Sequence, residues 1–186
     1  MTDASSIAEL TVEGRSDFDR HVAEATGGEL RGATLDTFQV NIGLTCNLAC
    51  HHCHVESSPK RPEQMDWPTA KMVLHAATRA GARTIDITGG APEMNRHFRR
   101  FVDAAIGLGF RIIVRTNLTI MLHEGYTDMP GWYAQRGVHL TASLPCYLED
   151  NVDKQRGRHV YVDSIDVLRK LNAVGSGGGE TAAPAA

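Results

Sequence analysis

Four short, β-branched and largely apolar segments recur along the chain, and segments with helical periodicity separate them. The four segments cover residues 37–42, 84–88, 111–116 and 138–143. Each has the length and composition of a buried strand. Alternating strands and helices predict a parallel sheet, because parallel strands need a crossover connection that is usually helical. We therefore expect an α/β chain with about four βα units.

The helical segments carry start and stop signals. The clearest has Asp66 as a candidate N-cap, Pro68 in the first turn and Gly81 just past its end. The next lies between Asn95 and Gly109, a shorter one covers about residues 129–136, and the last ends before residue 175. These signals place the helices of the predicted βα units.

The two ends of the chain differ from this pattern. Residues 1–35 are polar and contain one short helical segment at about 16–25, so we expect a polar N-terminal extension. Residues 36–175 form the predicted core. Residues 176–186 are small and aperiodic, a composition that predicts a disordered tail.

Composition narrows the setting. The chain is 22% charged with a formal net charge of -3 and has no long basic run, which argues against a nucleic-acid partner. No apolar run approaches the length of a membrane span, and the N-terminus lacks an apolar signal region. We therefore predict a cytoplasmic protein with a small-molecule substrate. In a reducing compartment, closely spaced cysteines are more often metal ligands or redox centres than disulfides.

The polar and glycine-rich segments follow the predicted strands. They are GLTCNLACHHCH, GGAPE, NLT and LPCYLED, after the first, second, third and fourth strand. The carboxyl ends of parallel strands lie at one rim of the sheet, where functional groups gather. We therefore expect a single site at this rim.

Three thiols crowd the first of these segments. Cys46, Cys50 and Cys53 have the spacing CxxxCxxC, which lets one loop hold a cluster and leaves a fourth iron without a protein ligand. An open metal position is typical of a catalytic centre. The alternative is a Cys3His zinc site completed by one of the adjacent histidines, His51, His52 or His54. The downstream GGAPE segment and the βα pattern favour the cluster.

The GGAPE segment also has a physical explanation. Gly89 and Gly90 lack a Cβ atom, so their backbone can turn sharply at the strand end and approach a ligand closely. An ordinary turn between a strand and a helix is the alternative interpretation.

The CxxxCxxC loop followed by GGAPE resembles the radical S-adenosylmethionine (SAM) superfamily. Longer phrases are similar to the arsenosugar-biosynthesis radical SAM proteins, among them QVNIGLTCNLACHHCHVESSPKR, DITGGAPEMNRHFRRFV and HLTASLPCYLEDNVDKQRGR. The resemblance implies a partial (β/α) barrel, shortened from the usual six βα units, with a 4Fe-4S cluster, SAM and an electron donor. It also implies transfer of a 5'-deoxyadenosyl group to a dimethylated trivalent arsenical.

The resemblance also assigns residues. It implies that Cys46, Cys50 and Cys53 hold three irons, and that the amino and carboxylate groups of SAM chelate the fourth. It places the SAM-binding groups at His52, Gly89, Gly90, Ala91, Glu93, Arg115, Thr116, Asn117 and Ser143, and Arg156 is a further candidate. The alternative for the residues at the ends of strands three and four and for Arg156 is a local cap or a surface ion pair. His52 stands at a usually aromatic position, Ala91 replaces the family's acid, and Arg156 has the planar fork that suits a carboxylate.

Cys146 lies in the segment after the fourth strand. A soft thiolate there could hold trivalent arsenic, which makes Cys146 a candidate catalytic residue, whereas the alternative is a small buried hydrophobe. Three functions stay open for the whole chain: an arsenosugar-type enzyme, a shortened cluster-binding relative without activity, and a zinc-binding module.

Overall fold

The computed structural model describes residues 16–28 and 34–175, which fall into two compact units that divide after Thr34. The described part of the first unit is helix α1, Asp17–Thr26, as expected from the sequence. Ser16 begins it with a capping box, in which the Ser16 hydroxyl accepts from the Asp19 N–H and the Asp19 carboxylate accepts from the Ser16 N–H. The predicted disorder of residues 176–186 concerns a segment outside the described residues.

The second unit is built on four parallel strands in sequential order. They are β1 Thr37–Asn41, β2 Thr84–Thr88, β3 Arg111–Thr116 and β4 His139–Ala142. The sheet order is β1-β2-β3-β4, so each strand pairs with the next one along the chain. The predicted α/β architecture with four βα units is confirmed.

The connections between the strands are mostly helical. The α-helices are α2 Trp67–Arg79, α3 Phe98–Gly107, α4 Met129–Gln135, α5 Glu149–Arg156 and α6 Val160–Ala173, and short 3-10 turns lie at Pro92–Met94 and Thr119–Leu122. Asp66 caps α2 as predicted, because its carboxylate accepts from the Thr69 N–H at 2.9 Å. No helix in the described part of the chain is long and apolar enough to cross a membrane.

Helix α5 falls in a segment for which the sequence pattern predicts no helix. Its sequence, EDNVDKQR, is almost entirely polar, so it lacks the apolar stripe from which helices are predicted. Val152 and Arg156 are its buried residues. The helix therefore presents one apolar and one cationic side chain to the protein.

The two faces of the sheet differ in chemistry because side chains alternate along each strand. One face buries Val40, Ile85, Ile87 and Val114 in a core shared with the helices. The other face carries polar side chains, including Gln39 and Asn41 on β1, Asp86 and Thr88 on β2, and Arg115 on β3. The polar face leads to the rim where the predicted site residues lie.

Candidate metal and cofactor site

A cavity of about 610 Å³ lies at the carboxyl ends of the strands. Its lining includes the predicted residues Cys46, Cys50, His52, Cys53, Gly89, Gly90, Arg115, Asn117, Ser143 and Arg156. Groups on the polar face of the sheet also line it, including Gln39, Asn41 and Thr88. Segments that are far apart in sequence therefore meet in one space, as the strand-end argument predicts.

The three thiols of the cysteine loop, residues 42–66, face this cavity. Cys46 is buried, and burial raises the pKa of its thiol. Its Sγ accepts from the Leu48 N–H and from the Asn117 amide, each at 3.4 Å, and Cys53 Sγ accepts from the Ser57 N–H at 3.3 Å. Such donors are typical of thiolates in iron–sulfur proteins, where they help to set the reduction potential.

The donor set fits a cluster with an open position. Within residues 16–28 and 34–175, no three His, Cys, Asp or Glu side chains converge closely enough to enclose a single metal ion. The three thiols instead border a cavity large enough for a cluster and a further ligand. Thiolates with N–H donors and space beside them are the arrangement that an open 4Fe-4S cluster needs.

Asn117 holds the cysteine loop in place. Its amide nitrogen donates to Cys46 Sγ and, at 2.7 Å, to Asn47 Oδ1, while its Oδ1 accepts from the Ile120 N–H at 3.1 Å. Asn47 in turn donates to Thr119 Oγ1 at 2.9 Å. The Asn117 side chain thus acts mainly within the protein, and its predicted contact with SAM stays a prediction.

Arg156 connects the ends of two strands. This buried guanidinium donates to the Ser143 carbonyl through Nη1 and to the Asn117 carbonyl through Nη2. The neighbouring Gln155 carbonyl accepts from the His51 N–H at 3.0 Å, which joins α5 to the cysteine loop. Arg156 lines the cavity as predicted, but its hydrogen-bond partners are backbone carbonyls. It therefore brings a positive charge to the rim without a carboxylate partner in the described chain.

Arg115 is paired with an acid that the sequence analysis did not select. Its Nη2 lies 2.8 Å from Asp86 Oδ2, and Gln39 Nε2 donates to the same oxygen at 2.9 Å. Burial alone would raise the pKa of Asp86, but the hydrogen bonds from Arg115 and Gln39 lower it. The signal for this acid was a single aspartate inside the apolar strand TIDIT.

Gly89 and Gly90 approach the cysteine loop itself. The Gly90 N–H donates to the Gly43 carbonyl at 3.0 Å, and the Ala91 N–H donates to the Thr45 carbonyl at 2.9 Å. A Cβ atom on Gly90 would lie 2.4 Å from the Thr45 oxygen, and one on Gly89 would lie 2.6 Å from the Gly43 oxygen. The sequence predicts that Gly89 and Gly90 allow the backbone to approach a ligand closely. In the structure, the backbone that they approach is that of the cysteine loop.

Four predicted residues lie outside the cavity lining. Ala91, Glu93 and Thr116 are buried. The Glu93 carboxylate accepts from the Tyr133 hydroxyl at 2.9 Å, and burial raises the pKa of Glu93.

Cys146 lies between β4 and α5 and is partly exposed, so it is not the buried hydrophobe of the alternative interpretation. The Leu148 N–H and the Asn151 amide, which donate to its sulfur, lower the pKa of its thiol.

Comparison with known proteins agrees with this architecture. The family model of the Radical SAM superfamily matches residues 40–181. The structure of SuiB from Streptococcus suis bound to S-adenosylmethionine superposes with a TM-score of 0.60 at 19% identity, covering 89% of this chain and 40% of that one. This likeness confirms the predicted fold class, a partial (β/α) barrel of the radical SAM type.

Two curated relatives have assigned activities. A probable GTP 3',8-cyclase from Methanopyrus kandleri is 27% identical over 161 residues, which cover 83% of this chain and 47% of the relative. An AdoMet-dependent heme synthase from Oleidesulfovibrio alaskensis is 32% identical over 78 residues, which cover 41% of this chain and 20% of the relative. The chain spans less than half the length of either relative.

The contact at Gly90 predicts a large effect of a single methyl group. Gly90→Ala should destabilise the folded chain by about 1–3 kcal/mol, the usual cost of overpacking, because the Thr45 carbonyl has to move. Gly131→Ala is the control: it lies in α4 with no atom within 4 Å of the added Cβ, so it should be neutral or stabilising by up to about 1 kcal/mol. Urea denaturation measures both, and equal stability of the two variants would contradict the packing role.

The burial of Glu93 predicts a pH effect on stability. The folded protein holds the Glu93 proton more tightly than the unfolded chain, because its folded pKa is raised. The contribution of Glu93 to the free energy of unfolding is therefore fully present below the ordinary glutamate pKa of about 4.3, and it is lost as the pH rises through the pKa of Glu93 in the folded protein. Glu93→Gln stays neutral and should unfold at higher urea than wild type at pH 8, with a smaller difference at pH 5.

Glu124→Gln, which changes an exposed carboxylate, is the control for this pH experiment. It should follow the pH dependence of the wild type. A Glu93→Gln variant with an unchanged pH dependence would show that burial of this carboxyl does not affect folding.

Proposed function

The chain belongs to the radical SAM superfamily of enzymes, and from this premise we propose that it binds a 4Fe-4S cluster through Cys46, Cys50 and Cys53 and SAM in the same cavity. The observation that carries the proposal is the shared lining: the three thiols border one cavity with Gly89 and Gly90 after β2 and with groups after β3 and β4. When bound, the cluster and SAM supply an electron and a 5'-deoxyadenosyl group.

The protein's own part in this chemistry is placement. The N–H groups of Leu48 and Ser57 and the Asn117 amide point at thiol sulfurs, so they favour negative charge on those sulfurs. Burial of Cys46 disfavours a free thiolate, so metal binding has to offset that cost. The positive rim residue Arg156 is suited to the carboxylate of SAM, as its planar guanidinium allows. We also propose a cytoplasmic location and an external electron donor.

We propose a dimethylated trivalent arsenical as the substrate. The support is the resemblance of several long sequence phrases to arsenosugar-biosynthesis proteins, together with the state of Cys146. This thiol is partly exposed, and hydrogen bonds from Leu148 and Asn151 lower its pKa. A more acidic and accessible thiol favours the thiolate, which is the form that binds soft metals and metalloids.

Nucleotide cyclisation is the second candidate. The probable GTP 3',8-cyclase is similar to this chain over 161 residues, a longer stretch than for the heme synthase. The polar face of the sheet also offers Gln39, Asn41 and Thr88 to the cavity, groups that can bind bases and ribose hydroxyls. The two candidates share the cluster and differ in the acceptor.

Anaerobic reconstitution of the chain with iron and sulfide, followed by product analysis, tests both. With reductant and SAM, we expect 5'-deoxyadenosine and, when dimethylarsinous acid is added, an adenosyl-arsenic product by mass spectrometry. A cyclised nucleotide formed from GTP would favour the second candidate. A cluster without SAM cleavage would indicate an inactive relative, and tight zinc binding without iron would indicate a zinc module.

Single substitutions separate cluster binding from substrate binding. Cys50→Ala should abolish cluster absorbance and SAM cleavage, because the cluster loses one of three protein ligands. Cys146→Ser should keep both, and should lower arsenical turnover at least about tenfold, the effect of roughly 1.4 kcal/mol of lost binding. Equal arsenical binding and turnover in wild type and Cys146→Ser would remove Cys146 from the substrate site.

A further inference from the structure

Ser57 carries a buried hydroxyl without a partner. The residue is 4% exposed and lines the same cavity as the cluster thiols. Its Oγ has no hydrogen-bond partner in the described part of the chain. A hydroxyl that is removed from water and left unpaired is unfavourable, so such groups in folded proteins usually meet a ligand or an ordered water. The cavity is the candidate ligand site that Ser57 lines.

The backbone around Ser57 fixes the residue beside Cys53. The Ser57 N–H donates to Cys53 Sγ at 3.3 Å, and the Glu56 N–H donates to the Cys53 carbonyl at 3.2 Å. Glu56 has a φ of 51°, a left-handed conformation that is uncommon for a residue with a side chain. This turn brings the chain back, so that the Ser57 N–H reaches the sulfur of Cys53.

The next residue anchors the turn to the start of the cysteine loop. The Ser58 N–H donates to the Leu44 carbonyl at 3.3 Å, its carbonyl accepts from the Cys46 N–H at 3.2 Å, and Thr45 and Ser58 form a parallel bridge. Ser57 is therefore held between two of the cysteines that we propose as ligands. Strain next to a functional group is maintained only where the surrounding structure fixes it, as these contacts do.

We infer that the Ser57 hydroxyl donates a hydrogen bond to a sulfur of the bound cluster at its Cys53 corner, and so raises the cluster's reduction potential. The inference rests on the proposed cluster. Three features support it: the unpaired hydroxyl, its place on the cavity wall, and the N–H of the same residue already directed at Cys53 Sγ. Reduction adds negative charge to the sulfurs, so a donor stabilises the reduced state and makes the potential less negative.

The contact would give the Cys53 corner a side-chain donor in addition to its backbone donor. Cys46 Sγ already accepts a side-chain hydrogen bond from Asn117, whereas among the described residues Cys53 Sγ accepts only from the Ser57 backbone N–H. Ser57 would supply the matching donor at the Cys53 corner. A backbone N–H is present whatever residue occupies the position, but the hydroxyl depends on serine. The potential should therefore depend on the identity of residue 57.

Redox titration of the reconstituted cluster tests the inference. Ser57→Ala should shift the midpoint potential to a more negative value and leave the affinity for SAM unchanged. Ser57→Thr keeps the hydroxyl and should restore the wild-type potential. Ser58→Ala is the matched control: the Ser58 hydroxyl accepts from the Lys60 N–H at 3.3 Å, so its loss should not move the potential.

The thermal stability of the cluster-free proteins checks the folding of the variants. Ser57→Ala should melt at or above the wild-type temperature, because it removes an unpaired hydroxyl. Equal potentials for wild type and Ser57→Ala would overturn the inference. So would an unchanged potential with weakened SAM binding, because the hydroxyl would then serve SAM. If the wild-type chain forms no cluster at all, the proposed function fails first and this inference fails with it.

Discussion

The site depends on close backbone contact between the cysteine loop and the turn after β2. Two hydrogen bonds make this contact, from the Gly90 N–H to the Gly43 carbonyl and from the Ala91 N–H to the Thr45 carbonyl. The two segments can approach this closely because residues 89 and 90 lack a Cβ atom, which would otherwise lie within 2.6 Å of a carbonyl oxygen. Residues 43 and 45 lie three positions and one position before Cys46, so the two glycines help to fix where the first thiol lies. A motif that looks like a ligand-binding turn thus also positions the metal-binding loop.

The polar groups at the rim are largely hydrogen-bonded to one another before any ligand binds. Asp86 pairs with Arg115, Asn117 spans Cys46 and Asn47, and the guanidinium of Arg156 binds the carbonyls that follow β3 and β4. Such networks are stabilising when every member has a partner, and they hold side chains in one geometry. Much of the cavity lining is therefore held in place, and among the described lining residues the Ser57 hydroxyl is the buried side-chain oxygen without a hydrogen-bond partner.

Much of this organisation could be predicted from sequence, and the failures have physical causes. The strands were predictable because β-branched apolar runs ended at polar, glycine-rich segments. Helix α5 was not, because its residues are polar and it is recognised by contacts of Val152 and Arg156 rather than by an apolar stripe. Asp86 and Ser57 were missed for a related reason. Asp86 is important because of its ion pair with Arg115, which lies 29 residues away in the sequence. Ser57 is important because its hydroxyl has no partner among the described residues.

The most deeply buried strand lies on the side of the cavity that carries the proposed cluster ligands. Strand β2 is buried along nearly its whole length and adjoins the cysteine loop, whereas β4 is mostly exposed and ends the sheet. In the proposed function, the cluster ligands and most of the SAM contacts lie near β1, β2 and β3, whereas Ser143 and Arg156 follow β4. Cys146 and the segment before α5 lie beyond β4, on the open side. Substitutions there can alter which substrate is held without disturbing the thiols, so we expect substrate specificity to depend mainly on this side.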